Sequence, residues 1–252
     1  MIKVLDKAFG ILEAVVTAAP EPLTPAILAE QLQLNKPTCS RIIKELVEAG
    51  YLQQVSRQSG YLAGPRAFSL GQHTDYETEL RTAAAEPIYR CAQTIGQSVL
   101  LAVMYQGGRY ILLHHNFNPA MKIDLRQLAY RDLFATATGL VLLAYASEPE
   151  FELARTARSP SESPELNIAC HRREDAVFQE IRRDRKFVYE GPDHPFAIIA
   201  FPVFRRNRFV AALGMSAPHP EFVGAERQQM LELVGSTAET ISRQISGLSS
   251  VG

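Results

Sequence analysis

Between residues 36 and 44 the chain carries Lys36, Thr38, Ser40, Arg41 and Lys44. A helix through this stretch would hold those cations and hydroxyls outward while Cys39, Ile42, Ile43, Leu46 and Val47 turned inward. Guanidinium and ammonium groups grip phosphates and guanine edges, and hydroxyls bond phosphates or base edges, so these residue types suit duplex DNA. A helix about 10 Å across also fits the major groove. Arg57 falls in a polar turn between two β-prone runs, where it would reach a flanking phosphate or the minor groove. On residue types alone, a solvated helical surface explains the same pattern equally well.

A second group of residues could receive a small molecule. Ala137, Thr138 and Gly139 open an apolar run, and the amides at a helix start attract a carboxylate where small side chains leave room. Met121, Ile123 and Leu125 could form the facing wall, and Ser216 could donate a hydroxyl. Arg126 and Arg131 are possible carboxylate partners, although arginines in polar loops are usually solvated. Plain helix packing explains the small residues as well.

Other chemistry lacks its signature. His114 and His115 have no cysteine or carboxylate at ligand spacing, so they read as hairpin histidines. Cys39, Cys91 and Cys170 are scattered, with no CxxC pair, which suits a reduced protein without structural metal. No GxSxG, HExxH, P-loop or GxGxxG occurs, so neither a cofactor nor a catalytic centre is expected.

The 252 residues suit one small and one larger domain. No apolar run is long enough to span a bilayer, and Asp6 and Glu13 interrupt the N-terminal pattern, so a cytoplasmic protein without a signal peptide is expected. A net charge of −1 would argue against DNA, yet from residue 36 to 66 five basic residues face only Glu45 and Glu48. A local basic face matters more than the total.

The elements that must position these groups follow from hydrophobic spacing. Val4, Leu5, Ala8, Ile11, Leu12, Val15 and Val16 mark one helix face. Thr24 caps a second helix with Pro25 in its first turn, burying Ile27, Leu28 and Leu32. The third helix opens near Asn35 and stops at Gly50. Two short β-prone runs, 51–55 and 60–63, complete the order of a winged helix-turn-helix. Residues 74–95 read as a linker helix with a break or kink at Pro87. Beyond Gly96 come a hairpin turning at Gly107-Gly108, a helix over 135–146, another over 176–183, a second hairpin over 197–216 and a closing helix over 224–246. Antiparallel hairpins with helices on either side imply an α+β fold.

The run from Leu23 to Leu52, with Thr38 and Arg41, then Leu46, Gly50 and Leu52, then Tyr61, Gly64 and Arg66, resembles the DNA-binding domain of the IclR family of bacterial transcription factors. The segments 134–144, 200–203 and 211–216 are similar to that family's second domain, so the likeness covers nearly the whole chain. It implies a winged helix-turn-helix (1–73), a linker helix (74–95) and a GAF-like α/β effector-binding domain (96–252). It also implies a dimer or dimer of dimers on a double-stranded, palindromic operator. Leu140 replaces a usual lysine, and 184–187 replaces a usual Gly-Tyr. Val188 and Ile198 fall where small-acid-sensing members hold a pocket acid and cysteine. A more apolar pocket would favour an aromatic or larger carboxylic effector over glyoxylate or pyruvate.

Two other readings are weighed. A small-molecule enzyme or binding module with a helical oligomerisation cap would need a nucleophile and base, which the sequence does not assemble. A DNA-binding regulator with a filled, inactive sensor would fit the apolar Val188 and Ile198.

Overall fold

The computed structural model describes residues 3–56, 58–72, 74–122, 127–157, 166, 168, 170–192 and 194–247. The chain divides into two compact units, one within Met1–Tyr76 and the other within Glu77–Ile123 and Ala129–Gly252.

The first unit contains α1 (Lys3–Thr17), α2 (Pro25–Gln31), α3 (Lys36–Glu48), β1 (Leu52–Ser56), β2 (Gly60–Ala63) and α4 (Pro65–Gln72). Ile11, Val15, Leu28, Cys39, Ile42, Ile43 and Leu52 form its core. Thr24 accepts from the Ile27 amide, and Asn35 from the Thr38 amide at 2.8 Å, so both helices start on side-chain caps. Gln33 turns the chain between them in the left-handed region, which a non-glycine residue adopts only under constraint. Tyr61 pairs with Leu23 as well as with β1, adding a third extended segment to the wing. Val4, Leu5 and Ile27 are exposed because the core closes on Ile11, Val15 and Leu28. Residues 65–72 form a helix, α4, that the sequence did not announce.

The second unit is a five-stranded antiparallel sheet in the order β4-β3-β7-β6-β5. The strands are β3 (Ser98–Tyr105), β4 (Gly108–Asn116), β5 (Phe187–Tyr189), β6 (Phe196–Arg205) and β7 (Arg208–Pro218). On one face α5 (Thr78–Ile95) and α9 (Gly224–Gly247) pack on Val99, Leu101, Ile199, Leu213 and Met215. On the other, α6 (Ala137–Tyr145), α7 (Glu148–Thr156) and α8 (Ala176–Asp184) cover Ala102, Ile198, Ala200 and Ala212. α6 is buried on every side from Ala137 to Ala144, as a helix apolar all round must be.

Helix α5 runs unbroken through Pro87, and Leu80, Ala84, Ile88 and Ala92 are fully buried, so it belongs to this unit's core. The hairpin turn of β3 and β4 is Gln106-Gly107, both with positive φ, one residue earlier than expected. That pair gives the backbone twist a two-residue hairpin needs. Arg206-Asn207 does the same between β6 and β7.

Candidate nucleic-acid interface and sensor site

At 100° per residue, Lys36, Ser40, Lys44 and Arg41 span about 140° of α3, and buried Cys39, Ile42 and Ile43 lie on the rest of its circumference. Those four are exposed, and Thr38 is half-buried at the edge of the arc. Lys44 pairs with Glu48 at 3.5 Å, a solvent-exposed contact weak enough for a phosphate to displace. Arg57 lies outside the described residues. Arg66, part of the basic stretch, is already engaged. Its Nη1 donates to the Ala49 carbonyl at 3.3 Å and its guanidinium lies 5.1 Å from the Tyr51 ring, a cation satisfying the C-terminus of α3. The spacing of Gly50 and Gly64 has a steric cause, since a Cβ on Gly64 would sit 2.4 Å from the Gly50 carbonyl oxygen.

In the second unit the start of α6 is tightly fixed. Thr136 accepts from the Gly139 amide, and its hydroxyl donates to the Asp132 carbonyl. Asp132 is held in a buried pair by Arg109 of β4, with Nε to Oδ1 at 2.8 Å, and the guanidinium lies 4.9 Å from the Tyr130 ring. Sequence reasoning missed this pair, because its partners are separated by twenty-three positions and join only through the fold. A Cβ on Gly139 would lie 2.1 Å from the Leu133 oxygen, and one on Gly214 would lie 2.4 Å from Cγ2 of Thr138. Both glycines therefore mark where α6 lies directly on backbone.

Strand register sets out the rest. Asn116, Ser98, Ser216, Ile198 and Tyr189 stand side by side across the sheet, and His114, Leu100, Gly214, Ala200 and Phe187 form the next row on the same face. Gly214 of the second row lies against the Thr138 methyl, and the first row stands two residues further along the strands. The face is assured by Ile198, Ala200 and Phe187 in the α6 core and by a hydrogen bond of 2.9 Å between Ser98 Oγ and His114 Nε2. Burial, and then the neighbouring His115, holds His114 below its ordinary pKa, so the imidazole stays neutral at pH 7. Asn116 donates to the Met121 carbonyl at 2.8 Å, and Asn118 bonds both Gln97 and Glu221. This network pins buried Met121 beside the first row.

Ala137, Thr138, Gly139, Ile198, Ser216 and Met121 are thus brought to one end of one face. Val188 is not: it packs into the α5–α9 core on the opposite face, because it is one residue out of phase with Tyr189. Ile123 lies outside the described residues. Thr138 is a buried residue whose hydroxyl keeps some exposure, and among the described residues neither that hydroxyl nor that of half-exposed Ser216 bonds to a protein group. Such groups at a sheet end are suited to meeting a ligand.

Among the described residues no helix is long and apolar enough to cross a membrane. Residues 4–56 match the IclR helix-turn-helix domain, and residues 72–243 match the C-terminal domain of bacterial transcriptional regulator IclR. The chain is 28% identical over 228 residues to the glycerol operon regulatory protein of Streptomyces coelicolor, covering 86% of this chain and 87% of that protein. An IclR homolog from Microbacterium hydrocarbonoxydans, solved with 4-hydroxybenzoate, aligns with a TM-score of 0.77 at 20% identity over 97% of this chain and 99% of that one. An IclR regulator from Alicyclobacillus acidocaldarius aligns with a TM-score of 0.74 at 18% identity, over 97% and 99%. With both domains matched in order, the chain belongs to the IclR family of bacterial transcriptional regulators, a DNA-binding regulator with an effector-binding domain and not an enzyme.

Proposed function

We propose that this regulator acts in the cytoplasm as a homodimer or dimer of dimers, reads a palindromic operator through α3 and responds to a small aromatic carboxylic acid. The exposed arc of Lys36, Ser40, Arg41 and Lys44, set against a buried apolar face, carries the first part. Thr38 and Arg57 supply flanking phosphate contacts. Pairing of two copies has a physical motive in α1 and α4, which leave Phe9 and Phe68 exposed at 59% and 68%, the kind of apolar surface that association removes from water. The three-part division at 73 and 95 is kept as a functional one: α5 closes the sensor core and continues the chain from the reading domain, so it carries the signal.

The sensor reading rests on one observation: among the described residues, the Thr138 hydroxyl at the start of α6 and the half-exposed Ser216 hydroxyl bond to no protein group. The acid's carboxylate meets the α6 amides and Thr138. Ala137, Gly139, Met121 and Ile198 enclose its apolar body. Fluorescence anisotropy against duplexes from its own upstream region and a scrambled duplex, over a salt series, tests the DNA part. Tight binding to one native duplex is expected. Arg41→Ala should then weaken it by about 1–3 kcal/mol and relax sequence choice. Indifference to sequence even at low salt would defeat the reading. Side-by-side titration of benzoate and glyoxylate tests the sensor part, which fails if only glyoxylate binds.

A further inference from the structure

We propose that the Ser98–His114 pair is a specificity element of the sensor that reads a hydroxyl at the end of the effector remote from its carboxylate. The inference rests on the aromatic-acid reading above and goes beyond it, since His114 and Ser98 belong to strands that no part of that reading uses.

The two rows at this sheet end contain no lysine or arginine, so their polarity comes from neutral groups: Ser98, Ser216, Asn116, His114 and Tyr189. Ser98 is 1% exposed, and burying a hydroxyl there is costly unless it bonds. Its partner is His114, which burial keeps uncharged. A hydroxyl and a neutral imidazole together keep both donor and acceptor capacity after their mutual bond, whichever tautomer is present. A phenol or alcohol both donates and accepts, and so matches that pair. Among the described residues, these rows offer a second carboxylate no cation.

The spacing fits a single ring. Gly214, beneath Thr138, is separated from His114 by Leu100 alone. Two strand spacings of about 4.8 Å therefore put His114 roughly 10 Å along the sheet from the strand on which the α6 start rests. A benzene ring substituted at opposite ends, with a hydrogen bond of about 2.8 Å at each end, crosses that offset and rises from the sheet to the α6 start above it.

Calorimetric titration of the full chain with 4-hydroxybenzoate and with benzoate tests this. The wild type should bind the hydroxylated acid about tenfold more tightly. His114→Leu should remove most of that preference by weakening 4-hydroxybenzoate alone, Ser98→Ala should reduce it, and His114→Gln should retain part of it. Equal wild-type affinities, or equal loss of both ligands in a His114→Leu protein with an unchanged thermal midpoint, would overturn the inference and leave the aromatic-acid reading standing. Binding of neither acid by the wild type would overturn both. If His114→Leu does not fold, the Ser98→Ala and His114→Gln titrations decide.

Discussion

The face of the sheet under α5 and α9 carries Val99, Leu101, Val103, Leu213, Met215 and Ile199, all essentially buried. The face under α6 begins in the same way, with Ala102, Ala212 and Ala200, and then changes to Ser98, Ser216, His114 and Asn116 at one end. One sheet thus gives a sealed core on one side and an unfinished one on the other. Period-two alternation lets the same strands serve both, since neighbouring residues such as Leu213 and Gly214 never share a face. The polar end costs the fold packing that Leu or Val would have supplied, and that cost makes sense as binding capacity.

The contrast is sharpest in its mutants. Leu213→Ala on the sealed face should cost about 2–5 kcal/mol, read by urea unfolding, because a fully buried side chain is replaced by a cavity. It should alter effector affinity little in the fraction that stays folded. One residue along, Gly214→Ala should cost about 1–3 kcal/mol for the opposite reason, overpacking against the Thr138 methyl. Adding Thr138→Ser removes that methyl while keeping the hydroxyl, and should recover most of the loss. Failure of the double variant to recover would mean that the clash lies in the backbone and that α6 is not seated as described.

What the sequence disclosed follows this same division. Long periodic stretches were legible: α1, α3, α5 and α9 stand where spacing put them, and the two β-hairpins were recognisable. Helix α4 was not, because its large apolar residues Phe68 and Leu70 are exposed and give no core-facing period. Strand β5, only three residues long, is too short for alternation to register. Its invisibility explains Val188, assigned to the effector pocket, since only pairing with β6 fixes which of Val188 and Tyr189 faces α6. His114 was passed over because its partner, sixteen residues away, is a serine rather than a metal ligand. Placing Thr138 over Gly214 required three-dimensional proximity that no spacing encodes.

A smaller effect separates binding from folding on the open face. Ser216→Ala removes a half-exposed hydroxyl without a protein partner among the described residues. The unfolding free energy should therefore move by no more than about 0.5 kcal/mol. Effector affinity should fall roughly threefold to tenfold, the share of one hydrogen bond. A large stability loss with unchanged affinity would assign Ser216 to the fold and close the distinction between the faces.

The smallest expected effect is one of pH. In the unfolded chain His114 titrates near 6.5, whereas in the folded chain burial and His115 lower its pKa. Just below pH 6.5 the unfolded chain therefore binds more protons than the native one, so stability declines as pH falls through that window and is fully present above it. His114→Gln removes the titrating group while keeping hydrogen-bonding capacity toward Ser98. Chemical denaturation at pH 7.5 and 5.5 should show a smaller acid-side loss for that variant than for the wild type. Leu213→Ala, which alters no titrating side chain, should lose the same increment as the wild type between the two pH values. If His114→Gln keeps the full acid-side loss, the imidazole is solvated and the polar end of the sheet is open surface.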